Sequence, residues 1–393
     1  MKHLIAGILL FATLMGCRSE SDQASTSNDS GFVALFAGED LSGWRNVNGA
    51  PSTWTVRDGM IVCSGKPTGV LCTERHYENY VLELEWRHLH EGGNAGLFVH
   101  SDAMPARGQP FTRSTECQIL DGNHGDVFAI HGATMVPDTP HPRGWMRSLP
   151  TEPRARPTGE WNHYRVESRD GRLTLAVNGK IVSGGTELNP RKGSICLDSE
   201  GSEVHFRNVR IKELPSTDPF PEEIAEPDRG FTSLYTGVDL SGWRESSSAT
   251  SPWQADDWIL RNEGGDRTNH LLTEESFGNF EMVADWRLDC DSIQQARAGI
   301  LLRGSEMDEV LLGCPGRPDV STLAYVPAEV DDAHNGWMRL YITLIGRRLT
   351  IEMNGEQTES TDLPQNIPSE GPIGLADHGT SAEFANLFIK RLD

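Results

Sequence analysis

The chain has 393 residues, long for one core and natural for two domains. Its 57 Asp and Glu outnumber 35 Lys and Arg, a formal charge of -22, so phosphate backbones and anionic lipid would repel it and no nucleic-acid partner is expected. Forty Gly and 22 Pro with a hydrophobic content of 37% favour many turns over long helices.

Lys2 and His3 precede an apolar run, Leu4 to Met15, that ends in Leu14-Met15-Gly16-Cys17. A basic start, a short apolar stretch and a small residue before a cleavage point predict an export signal over 1–17, too short to span a bilayer. Leu-x-Gly-Cys resembles the bacterial lipobox, which makes Cys17 the lipidated first residue of the mature chain. The expected location is the bacterial cell envelope, periplasm or outer membrane, with the lipid as the only membrane contact. Residues 18–30 are too polar to bury a core and predict a flexible tether. Export also permits disulfides. Cys63 and Cys72 flank Ser64 to Leu71 in a predicted hairpin and are candidates for a bridge. The other cysteines show no CxxC or Cys/His zinc spacing and read as core thiols or disulfide halves.

From Gly31 to Arg45 the sequence reappears at Gly230 to Arg244, with ten of fifteen positions identical. The echo continues through Trp86-Arg87 and Trp286-Arg287, Ala95-Gly96-Leu97 and Ala298-Gly299-Ile300, and Asn178-Gly179 and Asn354-Gly355. This is a tandem duplication. Copy one covers 31–214 and copy two 230–393, joined by a Pro-rich, acidic linker over 215–229.

Within each copy the period is two. Val81 to Arg87, Ala95 to His100 and His163 to Val177 alternate polar and apolar, and Asp170-Gly171 and Asn178-Gly179 are hairpin turn signals. Short strands with regular turns predict an all-β chain of two tandem jelly-roll β-sandwiches. Alternation sorts the faces. Leu82, Leu84, Trp86, Ala95, Leu97, Val99, Cys117 and Ile119 read as core. Glu83, Glu85, Arg87, Asn94, Phe98, His100, Glu116, Gln118 and Leu120 face away from it. If these strands are neighbours, Glu85, Arg87, His100, Glu116 and Gln118 form one polar cluster, beside a Gly-rich loop with Asp121, His124, Asp126 and His131. Any one of these residues alone reads as part of a solvated sheet face; together they read as a site.

The duplication supplies an internal control. Copy one spans 65 positions from Gly96 to Trp161, copy two only 38 from Gly299 to Trp337, an excess of 27 residues. That insertion holds the His/Asp loop and a Pro/Arg-rich run to Pro157, and a long insertion in one copy points to function. Glu309 stands for Glu116, but Leu311 for Gln118 and Cys314 for Asp121, and the loop histidines have no counterpart. Copy one is expected to work, copy two to be accessory or a binding unit.

"Leu-x-Gly-Trp", "Tyr-x-Leu-x-x-Glu-Trp-Arg", "Gly-Asn-Ala-Gly-Leu-Phe", "Glu-Cys-Gln-Ile-Leu-Asp" and "Gly-Glu-Trp-Asn", in that order, resemble the 3-keto-disaccharide hydrolase domain family. The resemblance covers all of copy one and, more loosely, copy two. It implies concanavalin/LamG-like sandwiches in exported proteins acting on oxidised glycosides, with a carbohydrate as substrate. His100 departs from the Arg expected there, and the His131 insertion departs from the common pattern. A ketone at C3 acidifies the C2 proton, so a base can remove it, the C1 substituent can leave, and water can add. That chemistry needs a base, an acid for the leaving oxygen and a stabiliser for the enolate. His131 or His124 is expected as base, Glu116 as acid, and Arg87 or a divalent metal as stabiliser. Glu85, Asn94, His100, Gln118 and Asp121 are the expected substrate contacts, and Asp121, His124 and His131 the candidate metal set, with a hydrated loop as the alternative. An ordinary glycosidase would instead use a carboxylate pair such as Glu85 and Glu116. The rival class is a non-catalytic, lectin-like carbohydrate-binding lipoprotein, since one sandwich serves both roles.

Overall fold

A computed structural model describes residues 30–247, 250–265, 267–293, 295–315, 324–328 and 334–392. The expected signal, Cys17 and all of the tether but Ser30 lie outside the described residues. The strands of copy one, in chain order, are β1 (Val33–Ala34), β2 (Trp44–Val47), β3 (Trp54–Arg57), β4 (Met60–Cys63), β5 (Gly69–Thr73), β6 (Tyr80–His88), β7 (Gly96–Ser101) and β8 (Ser114–Leu120). There follow β9 (Asn123–Ile130), β10 (Thr134–Pro137), β11 (Arg147–Ser148), β12 (Asn162–Arg169), β13 (Arg172–Val177), β14 (Lys180–Asn189), β15 (Ser194–Ser199) and β16 (Val204–Glu213).

They form two sheets. Sheet I runs β10-β14-β13-β12-β6-β16-β4-β3 with β1 added on β16, and sheet II runs β11-β9-β8-β7-β15-β5-β2. Alternation drives their stacking. Leu82, Leu84 and Trp86 of β6 point inward, as do Leu97 and Val99 of β7 and Cys117 and Ile119 of β8, all but lost to solvent in one core. Each such side chain stabilises the fold by about 1.5–3 kcal/mol. Asp170-Gly171 and Asn178-Gly179 turn the predicted hairpins with φ of 49°, 72°, 48° and 86°, the left-handed pair that a two-residue connection between twisted strands requires.

Among the described residues copy two repeats the plan with sheets of eight and six strands and its own core. Its strand Asn279–Leu288 lies between Ala382–Leu392 and Met338–Ile345, as β6 lies between β16 and β12. The linker carries a 3-10 turn at Pro221–Glu223. The linker is held against copy one: Glu226 O accepts from Ala103 N–H at 2.9 Å, and Arg45 pairs with Asp228 at 3.4 Å. A third apolar cluster joins the copies, with Val47, Val70, Cys72, Phe98 and Cys196 against Phe231, Val283 and Phe388.

The expected Cys63–Cys72 bridge is not formed. The chain crosses from sheet I to sheet II between β4 and β5, so Cys63 enters the core while Cys72 faces outward on sheet II. Cys72 instead bonds Cys196, its partner across β5 and β15, and Cys290 bonds Cys314. Cys63 and Cys117 are buried free thiols.

Candidate functional site

Sheet assignment divides the polar cluster expected from alternation. β6 belongs to sheet I, whereas β7 and β8 belong to sheet II, so their outward faces look in opposite directions. On the sheet I face Glu85 Oε2 accepts from Arg207 and, at 3.1 Å, from Asn208 Nδ2. Arg87 stacks on Trp161 at 4.6 Å, with Arg207 over the same ring at 3.9 Å. Glu83 is buried, which raises a carboxyl, yet Arg210 and Arg165 outweigh this and hold it below the ordinary range. Glu83 and Glu85 are thus ion-paired with arginines of the same sheet, while Arg87 rests on Trp161 and His205. The single cluster expected from alternation is therefore corrected: Glu85 and Arg87 stand on the opposite sheet from Glu116.

His100 also leaves the cluster. The register of β15 on β7 shifts between Ser194 and Cys196, and His100 takes φ 53°. This bulge breaks the alternation and swings the ring inward. Fully buried, His100 lies 3.1 Å from Ser168 Oγ and 3.4 Å from Tyr80 Oη, and burial pushes its pKa down to about 4. Arg303 takes the same place in copy two, also at φ 53°, donating to the Gly278 and Pro368 carbonyls. The His/Arg exchange is thus an exchange between two structural plugs.

The loop residues part company too. His124 pairs with Ile119 across the β8–β9 turn and faces the core, stacked on Trp86 at 5.3 Å. Asp121 sits at the sandwich rim, accepting from Gly92 N–H at 2.9 Å, with His124 Nε2 4.0 Å away. His131 follows the other end of β9, 6.4 Å from Phe111, and burial lowers its pKa to about 4. The strand separates His131 from His124 and Asp121, so this set does not converge on a metal. No group of three or more His, Cys, Asp or Glu among the described residues is arranged to hold one. His124 is partly buried, its ring against Trp86 on one side and near Asp121 on the other.

What sheet II does assemble is a nest of carboxylates around Glu116. Gly96 lies between β8 and β15 with no side chain of its own, and a Cβ there would stand 2.7 Å from Glu116 Oε1 and 3.0 Å from Asp198 Oδ2. The two oxygens are therefore closer to each other than the sum of those distances. Glu116 is 6% exposed and Asp198 fully buried. Burial pushes both carboxyls well above the usual range, Asp198 pushes Glu116 further, and Glu200 raises both. Asp126 on β9 is raised by burial, although Arg147 on β11, hydrogen-bonded to its Oδ2, works the other way. Asp198 Oδ1 accepts from Gly96 N–H, while Asp198 Oδ2 and Asp126 Oδ1 are buried without a partner. Beside them Gln118 Nε2 donates to Asn94 Oδ1 at 2.9 Å, so the structure does bring Glu116, Gln118 and Asn94 together. Two unit charges about 5 Å apart at an effective dielectric constant near 20 repel by roughly 3 kcal/mol. Burial and the neighbouring acids therefore hold both Glu116 and Asp198 toward the neutral form.

Asp198, Glu200 and Arg147 carried a readable signal. In Ser194-Ile-Cys-Leu-Asp-Ser-Glu200 the core residues Ile195 and Leu197 put Cys196, Asp198 and Glu200 on the opposite face. Arg147 comes from the insertion, which also presents Trp145, 49% exposed and stacked on His141 at 4.5 Å. Copy two shows what is lost without these parts. Leu301 pairs with Glu309 as Phe98 pairs with Glu116, but Gly299 pairs with Ala376 where Gly96 faces Asp198. Glu309 binds His378 at 2.6 Å instead of meeting a second acid.

A 3-keto-disaccharide hydrolase of Bacteroides thetaiotaomicron is 25% identical, over 47% of this chain and 79% of that protein. A crystal structure of a putative glycosyl hydrolase from Parabacteroides distasonis is also 25% identical, covering 47% of this chain and 94% of that one with a TM-score of 0.38. The carbohydrate-binding module CBM66 from Bacillus subtilis is 14% identical, covering 44% and 96%, with a TM-score of 0.32. The sequence profile of the 3-keto-alpha-glucoside-1,2-lyase-like domain matches residues 31–212 and again 230–390. With both halves matched in tandem, the chain belongs to the 3-keto-alpha-glucoside-1,2-lyase-like domain family.

Proposed function

We propose that copy one cleaves the glycosidic bond of a 3-keto-glycoside by removing the C2 proton, expelling the C1 oxygen and hydrating the resulting double bond. The observation that carries this reading is the Glu116–Asp198 pair across Gly96: two buried carboxyls, both raised by burial, approach one another on one face, and the reading assigns one as base and the other as acid. The ionised member takes the proton from C2, and the protonated member gives one to the departing oxygen. Arg147, held by Asp126, places positive charge beside the developing enolate, and the Gln118 and Asn94 amides bind hydroxyls. The family membership and the named B. thetaiotaomicron relative support the choice of an oxidised sugar. No step is routed through a metal, because the expected Asp121, His124 and His131 set is not assembled.

The reading includes export and a lipid anchor on Cys17, supported by the lipobox and by two disulfides, which persist in oxidising compartments. A Cys17→Ala variant should lose incorporation of a labelled fatty acid; retained labelling removes the anchor. The activity is tested by incubating the full chain with a 3-keto-glucoside and the unoxidised glycoside, with and without chelator. Turnover of the 3-keto sugar alone, unaffected by chelator, is the expected result. Equal turnover of the plain glycoside would make Glu116 and Asp198 an ordinary glycosidase pair. Binding without turnover of either would leave the lectin-like reading standing.

A further inference from the structure

Copy two presents Asp285, Arg339 and Asn386 on neighbouring strands, at the positions that Glu85, His163 and Asn208 hold on the open sheet I face of copy one. In copy two this trio is closed over a segment of copy one, residues 102–113 between β7 and β8. Asp285 is fully buried and accepts from Arg339 Nε at 2.7 Å, Asn386 Nδ2 at 2.6 Å and Gly108 N–H at 2.8 Å. Arg339 Nη2 donates to Pro105 O at 2.9 Å, and Asn386 Nδ2 to Gln109 O at 3.0 Å. From copy one Asn48 Nδ2 joins at 2.7 Å to Asn386 Oδ1. Gly108 sits at φ 63° against Trp337, where a Cβ would be 2.3 Å from the indole Cγ. Buried polar lattices satisfied in this way specify one geometry, because each broken bond leaves a desolvated group behind.

The pinned segment runs directly into β8, the strand of Glu116, and lays Phe111 on Phe98 at 5.5 Å, Phe98 being the residue paired with Glu116. Phe231, Val283 and Phe388 meanwhile cover Val47 of β2, Val70 and Cys72 of β5, Phe98 of β7 and Cys196 of β15. The carboxylates lie on β8, β9 and β15, with Arg147 on β11. A ligand lying across the strands can extend toward β11; in the direction of β5 it meets copy two.

We propose that copy two is the end wall of the site in copy one: it pins residues 102–113 and closes the face at β5, so the site admits the terminal sugar of a short glycoside and excludes the interior of a polymer. The terminal-sugar part rests on the proposed function, whereas the pinning does not.

The test uses the full chain with Asn386→Ala and, from the other side, Gly108→Ala. Hydrogen exchange should show amides of 102–113 losing protection in both variants while those of β6 keep theirs. The wild type should cleave a 3-keto-disaccharide and release products from longer 3-keto-oligosaccharides only at their ends. Both variants should raise KM for the disaccharide by about fivefold or more. Unchanged exchange of 102–113 in both variants overturns the pinning, and wild-type cleavage of internal linkages as fast as terminal ones overturns the end wall. Absence of turnover on every 3-keto substrate would sink the functional reading instead, with the exchange result still deciding the pinning.

Discussion

Glu116 and Arg87 were expected on one face, and their different fates test the site at the scale of single side chains. Glu116 and Asp198 are buried acids beside each other, whereas on sheet I Glu85 is paired with Arg207 and Arg87 stacks on Trp161. Glu116→Gln and Asp198→Asn should each lower kcat by about 10²–10⁴-fold, the usual worth of a positioned acid or base. Glu85→Gln and Arg87→Ala should stay within a few-fold of wild type, and a loss there as large as in Glu116→Gln would return the site to sheet I. His100 gives a pH signature. Its folded pKa, about 4, is below the ordinary value, so the stability it contributes is present above pH 6.5 and lost as pH falls toward 4. That loss amounts to roughly 3 kcal/mol, and His100→Gln should make the acid limb of a denaturant-midpoint-against-pH curve shallower by a comparable amount. An unchanged slope would show that the ring is not held neutral. The buried acids have the opposite sign. Raised in the fold, Glu116 and Asp198 favour stability at low pH and withdraw that contribution as pH rises through their folded values.

At the scale of the strand, β7 and β15 do most of the placing. Gly96 is the gap through which the two carboxyls approach, and its φ is not in the left-handed region, so alanine is allowed by the backbone but not by the site. Gly96→Ala should therefore keep the fold, seen by near-ultraviolet circular dichroism, yet lose about 10²-fold in kcat/KM, the scale on which small misplacements act. Full activity would mean that the pair does not work across that gap. Across β15 and β5 the Cys72–Cys196 bond closes a sequence separation of 124. Replacing both cysteines by Ser should lower stability by about 2–4 kcal/mol in chemical unfolding. The β7 bulge, by contrast, accounts for the misplaced His100: alternation predicts a face correctly only while the register is unbroken.

The whole molecule behaves as two cores with a third cluster between them. Val283 lies on the outer face of a copy-two sheet and is fully covered by copy one, so a charge there is buried only while the copies are docked. Val283→Asp should uncouple them, and calorimetry should pass from one cooperative transition to two. One unchanged transition would show that the contact adds nothing to cooperativity. Copy two thus gains a reason to persist after losing the second carboxylate at Ala376. On the proposed reading its scaffold supplies a wall, and the chemistry stays in copy one.

Composition, period-two alternation and internal repetition were enough, unaided, for the all-β class, the duplication and the inward or outward sense of most strands. Those properties depend on neighbours in the chain, and burial enforces them residue by residue. Alternation also marked Glu116, Gln118 and Asn94 as outward, and the structure keeps them together. It could not say which outward faces coincide. Whether Glu85 meets Glu116, whether Cys72 meets Cys63 or Cys196, and whether His124 turns toward solvent or Trp86 depend on which sheet each strand joins. That choice is made by pairings between residues far apart in sequence. Tertiary structure alone therefore put Asp198 beside Glu116 and copy two against the outer face of β5, β7 and β15.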